Sequence, residues 1–302
     1  MNVSRTSSSG GAVDTPRVLV FLGFAFGLAW LTALVIHMTG GIDGSPHLAP
    51  GLTLALLLLA TAYMWAPAIA NILTRVLTRE GWKSSGLRLR ARENWKLYLA
   101  AWILPAAATL SGAALFFVLF PRSFAPQPWL PLTLKLAAGA LLGPLANAFS
   151  TFGEELGWRG YLLPKLIPLG GRKAMLMMGA IWGVWHWPAI FMGYEYGFQY
   201  PGAPWAGPLL FVWIVFLFGT FLGWLYLRSE SVWPAVIGHG GINAMGAASL
   251  LTTTGHPNPL LGPTSVGIVG SLGFAVLALI LFATPRALEA RTTDQSTSTQ
   301  MS

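Results

Sequence analysis

The sequence predicts an all-α bundle that crosses a membrane many times. Of its 302 residues, 54% are hydrophobic and only 9% are charged. The mean hydropathy is +0.61, too apolar for a soluble globule with one core. Stretches matching the ~20 apolar residues that one helical crossing requires recur along the whole chain. A transmembrane barrel would alternate apolar and polar residues, whereas "LTLALLLLATAYMWAPAIA" is apolar on every face.

About eight crossings are expected. The first, 17–37, is too long for a signal peptide's apolar region and no small-residue cleavage site follows, so it reads as a retained span. The Gly- and Pro-rich turn "GGIDGSPHLAPG" leads into the second, 51–74. The basic stretch "RVLTREGWKSSGLRLRARENWK" then precedes the third, 97–120, and "PRSFAPQPWLP" joins that to the fourth, 132–157. The fifth, 174–193, is followed by the aromatic loop "GYEYGFQYPGAPWAGP", suited to a membrane interface. The sixth, seventh and eighth follow at 207–227, 232–252 and 264–284. No repeat or linker interrupts them, so residues 17–285 form one domain. The flanking segments 1–16 and 286–302, rich in Ser, Thr and Gly, are expected to be disordered tails.

The net charge of +8 does not point to nucleic acid, because its distribution follows the membrane. Of 18 Lys and Arg, 16 fall at the N-terminus, in the loops after the second, fourth and sixth crossings, and at the C-terminus. Arg122 and Lys135 fall opposite. The positive-inside rule then places both termini in the cytoplasm of a multi-pass cell-membrane protein, which requires an even number of crossings. Membrane lipids are the expected surroundings, and the densest basic stretch could rest on anionic headgroups. No cysteine is present, which excludes disulfides and thiolate chemistry.

Ionised side chains inside a bilayer cost about 2.5 to 3.5 kcal/mol on insertion scales and usually face the bundle interior in a paired or functional role. Glu154 and Glu155 stand at the expected cytoplasmic end of the fourth crossing, His186 in the fifth, and His239 with Asn243 in the seventh. His37, His47 and His256 fall at span ends or outer loops and are set aside. Residues four apart share a helix face, so Glu155 can pair with Arg159 while Glu154 diverges and keeps its carboxylate free. A free carboxylate there suits a general base, but both glutamates could instead cap the helix in a structural network. His186 is followed by Pro188, which should bend the helix beside it; an interhelical hydrogen bond is its blander role. His239 and Asn243 share a face and suit an oxyanion site, or else glycine-mediated packing through Gly238, Gly240 and Gly241. Asn147 lies seven residues before Glu154, where helix packing is the simpler expectation.

The order Glu154-Glu155-x-x-x-Arg159, Trp182-x-x-x-His186, His239-x-x-x-Asn243 resembles the CPBP family of intramembrane proteases, named for CAAX prenyl protease and bacteriocin processing and also called Abi. That family usually has Phe where this chain has Trp182, a change that looks conservative. The resemblance implies an intramembrane endopeptidase in which Glu154 and His186 activate water, His239 and Asn243 stabilise the oxyanion, and Glu155 and Arg159 support them. It implies a membrane-associated or prenylated peptide as substrate, and a pocket open to the cytosol. Family members are often described as metalloproteases, and Glu154, His186 and His239 would be the zinc ligands; no H-E-x-x-H is present, so no metal is favoured. Asp14, Asp43 and Asp294 lie outside the crossings, which removes an aspartyl dyad, and a rhomboid-like G-x-S-G is missing. A proton-coupled transporter relaying through Glu154, His186 and His239, and a catalytically silent immunity or scaffolding protein, are the alternatives.

Overall fold

The computed structural model describes residues 12–290. Among them the chain is a helical membrane bundle with one small antiparallel hairpin, β1 (His47–Ala49) against β2 (Leu52–Thr53). The helices are α1 (Thr15–Met38), α2 (Leu54–Thr78), α3 (Trp95–Leu119) and α4 (Trp129–Ala146). Next comes α5, built of Ala148–Gly157, a π turn Trp158–Leu162 and Leu163–Leu166. The chain continues with α6 (Gly171–Trp185), α7 (Trp187–Phe191), α8 (Ala206–Ser229), α9 (Val232–Gly246) and α10 (Leu272–Ala283). The expected tails 1–16 and 286–302 lie largely outside the described residues. However, α1 already begins at Thr15, where the Asp14 carboxylate caps the Arg17 amide.

Every expected crossing contains a helix, but five rather than eight are long and apolar enough to cross a membrane: α1, α2, α3, α4 and α8. The fourth stretch, 132–157, is broken at Asn147. Pro144 removes a helical hydrogen bond just before it, and the Asn147 amide donates to the Gly143 carbonyl at 2.9 Å. The helix restarts as α5 and runs on to Leu166, so the two glutamates sit in its interior and not at its cytoplasmic end. The fifth stretch breaks at His186 beside Pro188, as expected. The seventh leaves α-helix at Gly246, and the eighth starts only at Leu272, because the Gly- and Pro-rich residues before it fold as successive turns.

The inner helix is α9, which packs against α3, α4, α5 and α8. Lipid supplies no hydrophobic force between helices, so close approach through small residues carries the packing. Gly240 is one such point: a Cβ there would stand 2.5 Å from the Pro144 carbonyl oxygen of α4. At Gly157 an added Cβ would collide with Pro67 of α2.

Helix direction sorts the connections into two ends. One end carries the start of α1 and the α2–α3, α5–α6 and α8–α9 connections, and is rich in Lys and Arg. It is tied shut across the chain. Lys165 Nζ and Tyr161 Oη both donate to Glu80, at 2.7 and 3.0 Å. Asn94 donates to the Ser229 carbonyl at 3.0 Å, and the Trp233 indole to the Leu87 carbonyl at 2.9 Å. Burial alone would raise the Glu80 carboxyl, but Lys165, Tyr161 and Arg75 outweigh it and hold the group below its ordinary value.

Candidate active site

A cavity of about 460 Å³ lies among α2, α5, α6, α8 and α9. Glu154, His186, His239 and Asn243 all line it, so the structure brings these four predicted residues to one space. The walls are otherwise largely apolar, including Leu56 and Leu59 from α2 and Phe211 and Phe218 from α8. A π turn in α2, Leu59–Tyr63, sits in this wall, and a second follows Glu154 and Glu155 in α5; such insertions recur at functional sites. Asn147 lines the cavity too, besides bonding at the α4–α5 break, which goes beyond the packing role expected of it.

The two glutamates divide as helix geometry predicted. Glu155 is fully buried, and its Oε1 accepts from Arg159 Nη1 at 2.9 Å and from His239 Nδ1 at 2.8 Å. Glu154 Oε2 accepts from two indoles, Trp182 Nε1 at 2.6 Å and Trp158 Nε1 at 3.2 Å. Its Oε1 has no protein donor and is not sealed from the cavity. The pair is therefore one carboxylate spent on structure and one presented to the cavity.

Both imidazoles are oriented by a bond at Nδ1. His186 Nδ1 lies 2.7 Å from the Trp182 carbonyl, an acceptor only, so it carries the proton and leaves Nε2 as the basic nitrogen. His239 Nδ1 donates to Glu155 in the same way. A neutral His239 would then offer a bare Nε2; only the imidazolium has an Nε2–H to give. Asn243 is exposed to the cavity, and its amide takes no protein hydrogen bond.

Trp182 is the hub that the sequence missed. Its indole N–H holds Glu154, its carbonyl fixes His186, and the Arg159 guanidinium lies 4.4 Å over its ring. The His239 ring meets its face edge-on at 5.4 Å. The difference between Trp and Phe at this position is therefore not conservative, because Phe has no N–H to give Glu154. A second missed residue is Glu195, in the α7–α8 loop. It lines the cavity with a left-handed backbone, φ 68°. Although the residue is exposed, desolvation by the protein around it pushes its carboxyl up to about 7. The sequence signal was the lone acid in an aromatic loop.

Among the described residues no three His, Cys, Asp or Glu side chains come together as a metal-binding group. Glu154 Oε2 is also occupied by its two indole donors.

At the end opposite the basic loops the cavity is lined by the exposed Leu56, Tyr194 and Glu195 and by the buried Ser265 and Val266.

Residues 134–245 match the family model described as type II CAAX prenyl endopeptidase, Rce1-like. Over that segment the chain is similar to that family's model. The segment contains all three motifs, from Glu154 to Asn243, and agrees with the CPBP family read from them. A curated relative, CAAX prenyl protease 2 of Methanococcus maripaludis, is 34% identical over 93 residues. That match covers 30% of this chain and 34% of the relative, so the chain spans about a third of the relative's length.

Proposed function

We propose that the protein is an intramembrane endopeptidase that hydrolyses a peptide bond of a membrane-anchored peptide with water activated by Glu154 and His186. The observation that carries this is the free Glu154 Oε1 in the same cavity as a His186 whose basic nitrogen is defined by the Trp182 carbonyl. The Rce1-like segment and the protease name of its relative support the same chemistry.

In this mechanism Glu154 Oε1 takes a proton from a water that His186 Nε2 also holds. The hydroxide adds to the scissile carbonyl carbon. The oxygen that gains charge meets the Asn243 amide N–H and the His239 Nε2–H, donors fixed in place before the reaction. Collapse breaks the C–N bond, and the proton on Glu154 passes to the leaving amine, so one water is consumed. Arg159 and His239 both bond to Glu155 Oε1, which fixes the orientation of the His239 ring. The apolar walls suit a lipid-embedded peptide, and a prenylated C-terminus is the form suggested by the relative's name. No step requires a metal. A transmembrane proton relay fits less well, because the basic end beneath the cavity is tied closed.

The test is cleavage of prenylated and unmodified fluorogenic peptides by the protein in nanodiscs. Positioned acid–base groups contribute about 10²- to 10⁴-fold, so Glu154→Gln and His186→Ala should each lose at least about 100-fold in kcat. Cleavage retained in both variants would sink the assignment.

A further inference from the structure

We infer that Glu195, with Tyr194 beside it, forms a subsite in the cavity for a cationic side chain, Lys or Arg, of the bound peptide. The subsite deepens the hydrolase reading above and rests on it for its substrate, but the two can fail separately.

Placement is the first observation. Glu195 and Tyr194 line the same cavity as Glu154, His186, His239 and Asn243, and both are exposed there. Neither takes a part in the hydrolytic steps.

The second observation is charge. No Lys or Arg lines the cavity. Glu155 has Arg159 and His239, and Glu154 has two indole donors. Among the described residues Glu195 enters no ion pair. A carboxylate that protein desolvates without supplying a counter-charge is costly to ionise, which is why this one titrates near 7. A cation carried in by the peptide would remove that cost.

The backbone gives the third. Glu195 holds φ 68°, a left-handed conformation that residues with a Cβ avoid. Arg79 and Glu230 share it as the caps that end α2 and α8, where it is ordinary. Glu195 ends no helix, because α7 closes at Phe191 with Met192 as its cap. Gly193 and Gly197, two residues to either side, take φ 92° and 65° as glycines. A turn alone would be met by glycine at position 195 as well; a glutamate kept at this φ points to use of its side chain. The loop that imposes the conformation is firmly built. The Tyr194 amide donates to the Ala189 carbonyl at 3.1 Å and the Gly197 amide to the Gly193 carbonyl at 3.0 Å. The hydroxyl of buried Tyr196 donates to the Val266 carbonyl at 2.8 Å, pinning the loop to the cavity wall.

Lys and Arg fit such a subsite at both ends of the side chain. The charged head makes charge-assisted hydrogen bonds to a carboxylate, and an aromatic neighbour such as Tyr194 attracts the same cation. The aliphatic stem suits the apolar walls from Leu56, Leu59, Phe211 and Phe218.

The test is a series of fluorogenic peptides in which one Lys moves through the positions flanking the scissile bond, each paired with its norleucine isostere, and cleaved by the protein in nanodiscs. At one position Lys should raise kcat/KM at least about tenfold over norleucine, the lower end of what a hydrogen bond to a charged group contributes. Glu195→Gln should abolish that preference, Glu195→Asp should keep part of it, and Glu195→Lys should reverse it in favour of an acidic peptide. The preference is a ratio within each protein, so a variant of lower overall activity does not mimic the effect. A Lys preference undiminished in Glu195→Gln, or no Lys preference at any position in wild type, would overturn the subsite. If wild type cleaves none of the peptides, hydrolysis is refuted, and equilibrium binding of the same fluorescent pairs reads the subsite instead. Lys peptides bound more tightly by wild type than by Glu195→Gln would then support it, and equal binding would refute it.

Discussion

Trp182→Phe removes one hydrogen atom's worth of chemistry from the site and little else. The phenyl ring keeps a face for Arg159, now 4.4 Å over the indole, and for His239 at 5.4 Å. What disappears is the 2.6 Å hydrogen bond to Glu154 Oε2, leaving that oxygen the longer 3.2 Å bond from Trp158. Hydrogen bonds to charged groups contribute about 1.5–3 kcal/mol. At the lower bound, if the whole effect falls on the position of Glu154 in the transition state, kcat drops about tenfold with KM unchanged. The assay is steady-state cleavage of a fluorogenic membrane peptide in nanodiscs, with Trp182→Leu, which loses the ring as well, as the comparison. A Trp182→Phe protein with wild-type kcat would refute the claim that this indole positions the base. The outcome is informative because the resembling family usually has Phe here.

Asn243→Ala should keep the fold and lower kcat by about 100-fold or more, the usual cost of one oxyanion donor, measured against an unchanged melting curve. Glu155→Gln should be destabilising by about 3–5 kcal/mol, because it strands buried Arg159 and His239, and adding Arg159→Met should restore part of that in thermal unfolding. Glu80, held below its ordinary value mainly by Lys165 and Tyr161 against the effect of burial, contributes stability that is full above its unfolded pKa and is lost as pH falls through the folded one. Acid unfolding of Glu80→Gln should therefore be flatter than that of wild type. Glu195, pushed up to about 7 by desolvation, adds negative charge to the cavity as pH rises, so a cationic peptide should bind more tightly above that pH; Glu195→Gln should abolish the trend in a binding titration. Exhaustive chelation should leave turnover unchanged, and loss reversed by zinc would contradict the metal-independent chemistry.

The fold class was legible because apolar runs long enough to cross a membrane leave few alternatives, and each one does contain a helix. Helix boundaries were not, since Pro144 and Asn147 break one apolar run while α5 continues through polar Arg159 and Lys165 to Leu166. Hydropathy registers neither event. The separation of Glu154 from Glu155 followed from helical spacing alone. The partner of His239 did not, because the Glu155 contact joins residues 84 apart in sequence, and no spacing rule on one helix reveals it. Trp182 was visible as a motif position but not as a donor, for a substitution between aromatics looks neutral until the atom opposite its N–H is known.

The central claim is that a water held by Glu154 and His186 attacks the peptide carbonyl directly. Single-turnover cleavage in H₂¹⁸O, read by mass spectrometry of both product and protein, tests it most directly. The account predicts one ¹⁸O in the new carboxylate of the product, none in the Glu154 side chain, and a single turnover at least about 100-fold slower in Glu154→Gln. Glu154→Gln cleaving at the wild-type rate, or label recovered in the Glu154 carboxylate, would contradict it.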